Sequence, residues 1–350
     1  MKIRLFKELG ALAVMLLAGA CKSNDTVVWD PMQLPKNSLS AFAVSSAEIT
    51  EATPRIAEAI TANIFNEKKK GHSDGGSRSV TVIECGPAIN DTDDVAFNPG
   101  EFISALEKNL EKPGEITVRT NAGIRSIGGT AADDSCRSPD FLLIPRVSQM
   151  PGLRGKENLL VRSFSVALIN AEGTIVGSYT MKIDIPIEKR IPVIVANFYE
   201  YQNAVSSFLS AMLANPKVNS FITKYQQNSR NEKSRPVIKF GKVRNDTCDP
   251  NLSESSLIWV ILDALLQGDK FRISACEGAM RTPSISVFRD AKGNRNVPFA
   301  SSDLVLNIQI EEQKNNNNAI TRAYSFILTD AKNGKTVMQF TKQLGYKSTK

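Results

Sequence analysis

The apolar positions of this chain fall into two matching series. Residues 79–94 (SVTVIECGPAINDTDD) and 234–249 (SRPVIKFGKVRNDTCD) superpose under a fixed shift of 155. That shift puts Gly86 on Gly241, Asn90-Asp91-Thr92 on Asn245-Asp246-Thr247, and Asp94 on Asp249. It continues without a gap. Phe102, Ile103, Leu106 and Leu110 fall on Leu257, Ile258, Ile261 and Leu265, steps of three and four that mark the buried stripe of an amphipathic helix. Ile116 and Val118 then fall on Phe271 and Ile273, the alternation of a short strand. After an insertion in the first copy, PDFLLIPRV (139–147) matches SDLVLNIQI (302–310), pairing Asp140 with Asp303. FSVALINAEGTIVGSYTMKI (164–183) likewise matches YSFILTDAKNGKTVMQFTKQL (324–344). This last match predicts two strands about a tight turn, at Ala171-Glu172-Gly173 and at Ala331-Lys332-Asn333-Gly334, where Asn-Gly is a strong hairpin signal.

A helix precedes each copy. Ile56, Ile60 and Ile64 are four apart in the first. Val205, Leu209 and Leu213 keep that spacing in the second, widened by Phe208 and Met212. Pro216 closes the second helix, and VNSFITKY (218–225) reads as a further short one. Each copy therefore predicts the order α-β-α-β-β-β-β. The strand–helix–strand crossover makes its first two strands parallel neighbours or near neighbours, and the later three form an antiparallel meander. The predicted fold class is α+β: two similar domains, each a mixed β-sheet with helices packed mainly on one face. The expected boundaries are 44–186 and 199–350, with a linker at 187–198 rather than a flexible Gly/Ser stretch. The loops at 67–79 and 313–318 are expected to be exposed.

The chain before these copies has a different character. Lys2, Arg4 and Lys7 give a positive start, and Leu9 to Ala20 is uncharged and mostly apolar. That run is too short to span a bilayer, which takes about 20 apolar residues. It ends in Leu17-Ala18-Gly19-Ala20-Cys21. This segment resembles the lipobox of bacterial lipoproteins, with Ala18 where Leu is commoner. The resemblance implies a signal peptide at 1–20, cleavage before Cys21, and lipid on the Cys21 thiol. One lipid chain anchors only marginally, so a stable hold needs a multiply acylated cysteine. Lys22, in place of Asp, implies sorting to the outer membrane by the enterobacterial rule. Residues 21–43, with Pro31 and Pro35 and no periodicity, read as a tether.

Composition is that of a folded protein, with 42% hydrophobic and 23% charged residues. Three positive charges and one negative charge lie within residues 1–20, so the formal +7 falls to +5 when that segment is removed. The remaining excess is modest and spread out. No dense basic helix or basic-aromatic pattern is present, which argues against a nucleic-acid partner. Four cysteines follow Cys21: Cys85, Cys136, Cys248 and Cys276. An even number in an exported chain favours disulfides. The parallel strands of each copy end on the same side, so the pairs Cys85–Cys136 and Cys248–Cys276 are favoured. The alternative is that one or more thiols stay free and buried.

The second copy runs NAVSSFLSAMLANP, VNSFI, RPVIKFGKVRNDT, an amphipathic helix, KFRI, SDLVLNIQI and a closing hairpin. This order resembles the LpoB-like lipoprotein activators of penicillin-binding proteins, within the wider group of TolB-N-like and CsgG-like periplasmic domains. The resemblance implies a non-enzymatic protein, facing the periplasm, that binds and regulates a peptidoglycan synthase. The departures are a short tether and a doubled domain. A secretion or surface-assembly accessory of the CsgG group is the alternative, although no pair of ten-residue strands with an apolar outer face is evident.

Reactive chemistry is scarce. The single histidine, His72, lies in a Lys/Gly/Ser/Asp loop with no partner pattern for a metal or a triad. No phosphate loop, dinucleotide fingerprint or nucleophile elbow occurs. No catalytic residue, metal or cofactor is expected. The Asn90-Asp91-Thr92 and Asn245-Asp246-Thr247 segments read as turn and cap residues whose short side chains bond nearby backbone. Asp93-Asp94 and Asp133-Asp134 read as solvated loops, and Trp259 as core or boundary packing.

Overall fold

The computed structural model describes residues 43–71, 80–94, 96–120, 139–154, 157–187, 196–230, 234–247, 249, 252–268, 270–275, 301–314 and 319–347. Cys21, the signal segment, most of the tether, His72, Asp133-Asp134, Cys136, Cys248, Cys276 and residues 188–195 lie outside the described residues. The first copy holds α1 (Ser46–Gly71), β1 (Thr81–Cys85), β2 (Ile89–Asp91), α2 (Pro99–Leu110), β3 (Ile116–Thr120), β4 (Phe141–Arg154), β5 (Glu157–Asn170) and β6 (Thr174–Pro186). The second holds α3 (Phe198–Ala214), α4 (Pro216–Ser229), β7 (Val237–Asp246), α5 (Glu254–Gln267), β8 (Arg272–Ser274), β9 (Leu304–Lys314), β10 (Ala319–Asp330) and β11 (Thr336–Lys347). This is an α+β fold with a mixed sheet.

Local chemistry starts and stops these elements. Ser45 and Glu48 form a reciprocal cap on α1: the Ser45 N–H donates to Glu48 at 2.7 Å, and the Glu48 N–H donates to the Ser45 hydroxyl at 3.2 Å. Asn197 caps α3 in the same place relative to Glu200. Pro216 both ends α3 and opens α4, where Asn215 is the cap. Gly173 and Gly334 take φ of 71° and 68° in the two hairpin turns, the left-handed conformation that glycine adopts without strain. The helix α1 runs on to Gly71, so residues 67–71, expected in a loop, are helical.

The strands order as β11-β10-β9-β7-β8-β6-β5-β4-β1-β3, with β2 paired to β4. In each copy the crossover strands are parallel, β1 with β3 and β7 with β8, and the last three strands are antiparallel. The two half-sheets repeat head to tail. They meet where β8 pairs with β6 through Thr174 with Ser274 and Ile175 with Ile273.

The helices explain why the two copies read differently. On one face of the first half-sheet, α1 and α2 bury Phe141, Leu143, Val147, Phe164, Val166 and Leu168. The opposite face carries Leu142, Ile144, Val161, Ala167, Ile169 and Ile175, and these pack with α3 and α5 of the second copy. Covered on both faces, β4 and β5 are continuously buried over long stretches. The same α3 and α5 also pack on their own half-sheet, where Phe208 stacks on Phe326 at 4.5 Å between ring centroids. They form a helical layer shared by both half-sheets. Among the described residues no helix covers the outer face of the second half-sheet, and there Leu304, Leu306, Ile308 and Ile310 are buried while Val305, Asn307, Gln309 and Glu311 between them are not.

One expectation fails locally. Leu213 does not join the buried stripe of α3 and is 42% exposed, whereas Tyr201, Ala204, Val205, Phe208 and Met212 are buried. Steps of four drift about 40° each round a 3.6-residue helix. The third member of the series thus leaves the buried face.

Candidate functional site

The repeated Asn-Asp-Thr segments form the same turn twice. The Thr92 N–H and hydroxyl both donate to Asn90 Oδ1, at 3.0 and 2.6 Å, and the Asp94 N–H donates to Thr92 Oγ1 at 3.2 Å. In the second copy, Thr247 bonds Asn245 at 3.0 and 2.8 Å, and the Asp249 N–H donates to Thr247 at 3.3 Å. The closing aspartates then reach the chain just ahead of the copy's first helix. Asp94 accepts from the Val44 N–H at 2.9 Å, and Asp249 accepts from the Ala196 N–H at 2.6 Å. Asp140 and Asp303 are equivalent too, accepting from the Val82 and Val237 N–H at 2.8 and 2.9 Å. Asp94 and Asp249 thus tie the turns to the segments that lead into the helices, and Asp140 and Asp303 tie strand to strand.

A second duplicated feature is two buried arginines. Arg322 on β10 is fully buried and donates to both oxygens of Glu200 at 2.9 Å, to Asp249 at 3.2 Å and to Glu312 at 3.0 Å; Tyr324 adds its hydroxyl to Glu200 at 2.6 Å. Burial works against the Arg322 charge, but Glu200 and the surrounding acids outweigh it and hold the guanidinium more firmly protonated than usual. Burial first, then the Glu200 charge, raises the Tyr324 hydroxyl well above its ordinary value. In the first copy Arg162 occupies the same place. It donates to Glu48 at 2.8 and 2.9 Å, to the Ala43 carbonyl at 2.8 Å and to Gln149 at 3.1 Å. Gln149 stands where the second copy has Glu312, and Phe164 where it has Tyr324. Both arginines lie two residues ahead of the matched Phe164 and Tyr324. Extending that hairpin match backwards, together with the Ser-x-x-Glu and Asn-x-x-Glu caps, is the signal that would have found them.

The middle aspartates diverge. Asp246 stays at the surface with Arg244, at 2.7 Å, and Gln309; the Arg244 hydrogen bond keeps its carboxyl below the usual range. Asp91 instead accepts from Arg146 Nε at 2.7 Å and from the Ser255 hydroxyl, on α5 of the second copy, at 3.2 Å. Arg146 also donates to Ser256 at 3.0 Å and lies over the Trp259 ring at 5.6 Å. The expected turn residue thus becomes part of a latch between copies.

Behind that latch is a cavity of about 440 Å³, within the range of small-molecule sites. Its floor is the outer face of β4, β5 and β6, with the hydroxyls of Ser148, Ser163, Ser165, Ser178 and Thr180; its roof is α3 and α5. Ser165 and Thr180 bond each other at 2.9 Å, and Ser178 donates a short hydrogen bond to Asp263. Burial raises the Asp263 carboxyl above its usual value against the pull of those hydroxyls and Lys182. Burial also lowers Lys182, whose ammonium sits 4.7 Å over the Phe198 ring. The cavity was not visible in the sequence, because floor and roof come from different copies.

Of the cysteines, Cys85 is described. It is a buried thiol, pushed up to about 12 by burial and the nearby Glu107 and Glu84 charges. Among the described residues no group of three His, Cys, Asp or Glu side chains is arranged to hold a metal ion. No helix among them is long and apolar enough to cross a membrane.

No family model and no curated protein matches the chain. Solved structures with some likeness include the LpoB C-terminal domain from Salmonella enterica, at 15% identity and a TM-score of 0.27, covering 42% of this chain and 98% of that one. The lipoprotein GNA1162 from Neisseria meningitidis follows at 16% identity and a TM-score of 0.22, covering 32% and 83%. The protein XCC0632 from Xanthomonas campestris has 14% identity and a TM-score of 0.18, covering 32% and 70%.

Proposed function

We propose that this chain is an exported lipoprotein, anchored to the outer membrane through lipid on Cys21 and facing the periplasm, that acts by binding a protein rather than by catalysis. Its partner in this reading is a peptidoglycan synthase of the penicillin-binding class, which the chain activates. One observation carries the reading. The polar side chains that recur in both copies are engaged in the framework itself: the Asn-Asp-Thr segments within their turns, Asp140 and Asp303 between strands, and Arg162 and Arg322 between strand and helix. In this reading a protein partner would meet the exposed faces of the molecule. The order of elements in the second copy, with its resemblance to the LpoB-like group, supports the choice of partner, and the Cys21 segment supports the anchor.

The test is crosslinking of the full-length lipidated chain in cells, followed by purification. Recovery of a penicillin-binding protein, with faster glycan polymerisation when the chain is added to that enzyme, is the expected result. Recovery of secretion components instead would transfer the chain to the CsgG-like alternative.

A further inference from the structure

The cavity between the copies holds more hydrogen-bonding capacity than the fold uses. Ser148 and Ser163 are 4% and 5% exposed and line its floor, yet their hydroxyls meet no hydrogen-bond partner among the described residues. Both hydroxyls face the cavity, where water or a ligand can reach them. The second copy shows that the fold does not require them. Its equivalent of the Ser165–Thr180 pair is Ser325–Thr341, also at 2.9 Å, so that pair belongs to the framework. At the positions of Ser163 and Ser148, however, it carries Ala323 and Glu311. The unpaired hydroxyls occur only in the copy that has a roof.

The charges around the cavity narrow the ligand. Arg146 is engaged by Asp91, Ser256 and the Trp259 face. Asp263 accepts from Ser178, and Lys182 sits over Phe198 with Asp263 and Asp184 close by. A charged ligand would find each opposite charge already matched. An apolar ligand would seal the Ser148 and Ser163 hydroxyls in without partners. The unmet capacity is neutral: those two hydroxyls on the floor, with the Gln202 and Gln267 amides on the helices above and the apolar Val161 and Val205 beside them. We infer that this cavity binds a small uncharged polyhydroxylated molecule of the sugar class. Such a ligand supplies hydroxyls to the floor and C–H faces to the apolar wall. Bridging β4–β6 to α3 and α5, it would also brace the two copies against each other. This inference goes beyond the partner reading and does not depend on it.

The experiment uses the full-length chain in a detergent without a sugar head group, titrated calorimetrically with N-acetylglucosamine, glucose and trehalose. Inorganic phosphate and glycine serve as charged comparisons. Saturable binding of at least one sugar is expected, with neither charged probe bound. Ser206 stands exposed at the mouth of the cavity, so Ser206→Trp should abolish binding and leave the unfolding midpoint in place. The double variant Ser148→Ala with Ser163→Ala should weaken binding about tenfold or more while holding or raising the midpoint of the empty protein. Absence of binding by all three sugars overturns the inference. So does sugar binding that survives the double variant, or preferential binding of phosphate or glycine. Crosslinking to a synthase reads out separately, so either idea can fail while the other stands.

Discussion

Arg322 is a fully buried cation that faces three carboxylates, those of Glu200, Asp249 and Glu312. Removing it would leave those carboxylates facing one another without their counter-charge. Arg322→Ala should therefore cost about 3–5 kcal/mol in denaturant unfolding. Arg244→Ala, which breaks a pair on an exposed arginine, should leave the midpoint unmoved. Asp263 sets a different test. Its folded-state carboxyl lies above the ordinary 3.8, so the unfolded chain ionises first as pH rises and gains relative to the fold. The stability lost this way appears above about pH 4 and is complete once the folded-state value is passed. Asp263→Asn removes that loss, so the variant's melting temperature minus the wild type's should be larger at pH 7 than at pH 4. At this scale the Asn-Asp-Thr turns were legible in the sequence, since a short polar side chain bonding backbone two residues on is a local event. The Arg162 and Arg322 clusters were not. Each arginine meets a glutamate more than a hundred residues away, and only the recurrence of both arginine and glutamate in the two copies marks them as partners.

At the scale of elements, equivalent strands differ because their surroundings differ. Ile144 and Asn307 occupy the same place in β4 and β9. Ile144 lies under the helices of the second copy at 4% exposure, while Asn307 lies on the open face. Ile144→Asn should cost about 3 kcal/mol or more, combining lost apolar burial with an unpaired buried amide. Asn307→Ser should shift stability by less than about 1 kcal/mol. Urea unfolding of the two variants checks the pair. The strands, the crossover helices and the hairpin turns could all be read from periodicity and glycine placement. The contrast between the unbroken FLLI of β4 and the alternating LVLNIQI of β9 was also in the sequence. It signalled a strand covered on two faces against one covered on one. What supplies the second cover could not be read, because a helix such as α5, apolar nearly all round, does not announce how many sheets it serves.

For the whole molecule, the head-to-tail order of half-sheets makes α3 and α5 the common layer. The pairing of β6 with β8 is short, so the copies are held together mainly by this layer and by the contacts of Asp91 and Arg146 with Ser255, Ser256 and Trp259. Burial of Leu142, Ile144, Val161, Ile169 and Ile175 under α3 and α5 contributes on the order of 10 kcal/mol of transfer free energy. A typical domain has only about 5–15 kcal/mol in total, so the first copy should not outlast the second. The most direct measurement is hydrogen exchange of the full-length chain across a denaturant series, resolved by peptide mass. The amides of β4 and β5 should lose protection at the same denaturant concentration as those of β9 and β10. Separate transitions, with the first copy staying protected after α3 and α5 have opened, would contradict the shared helical layer.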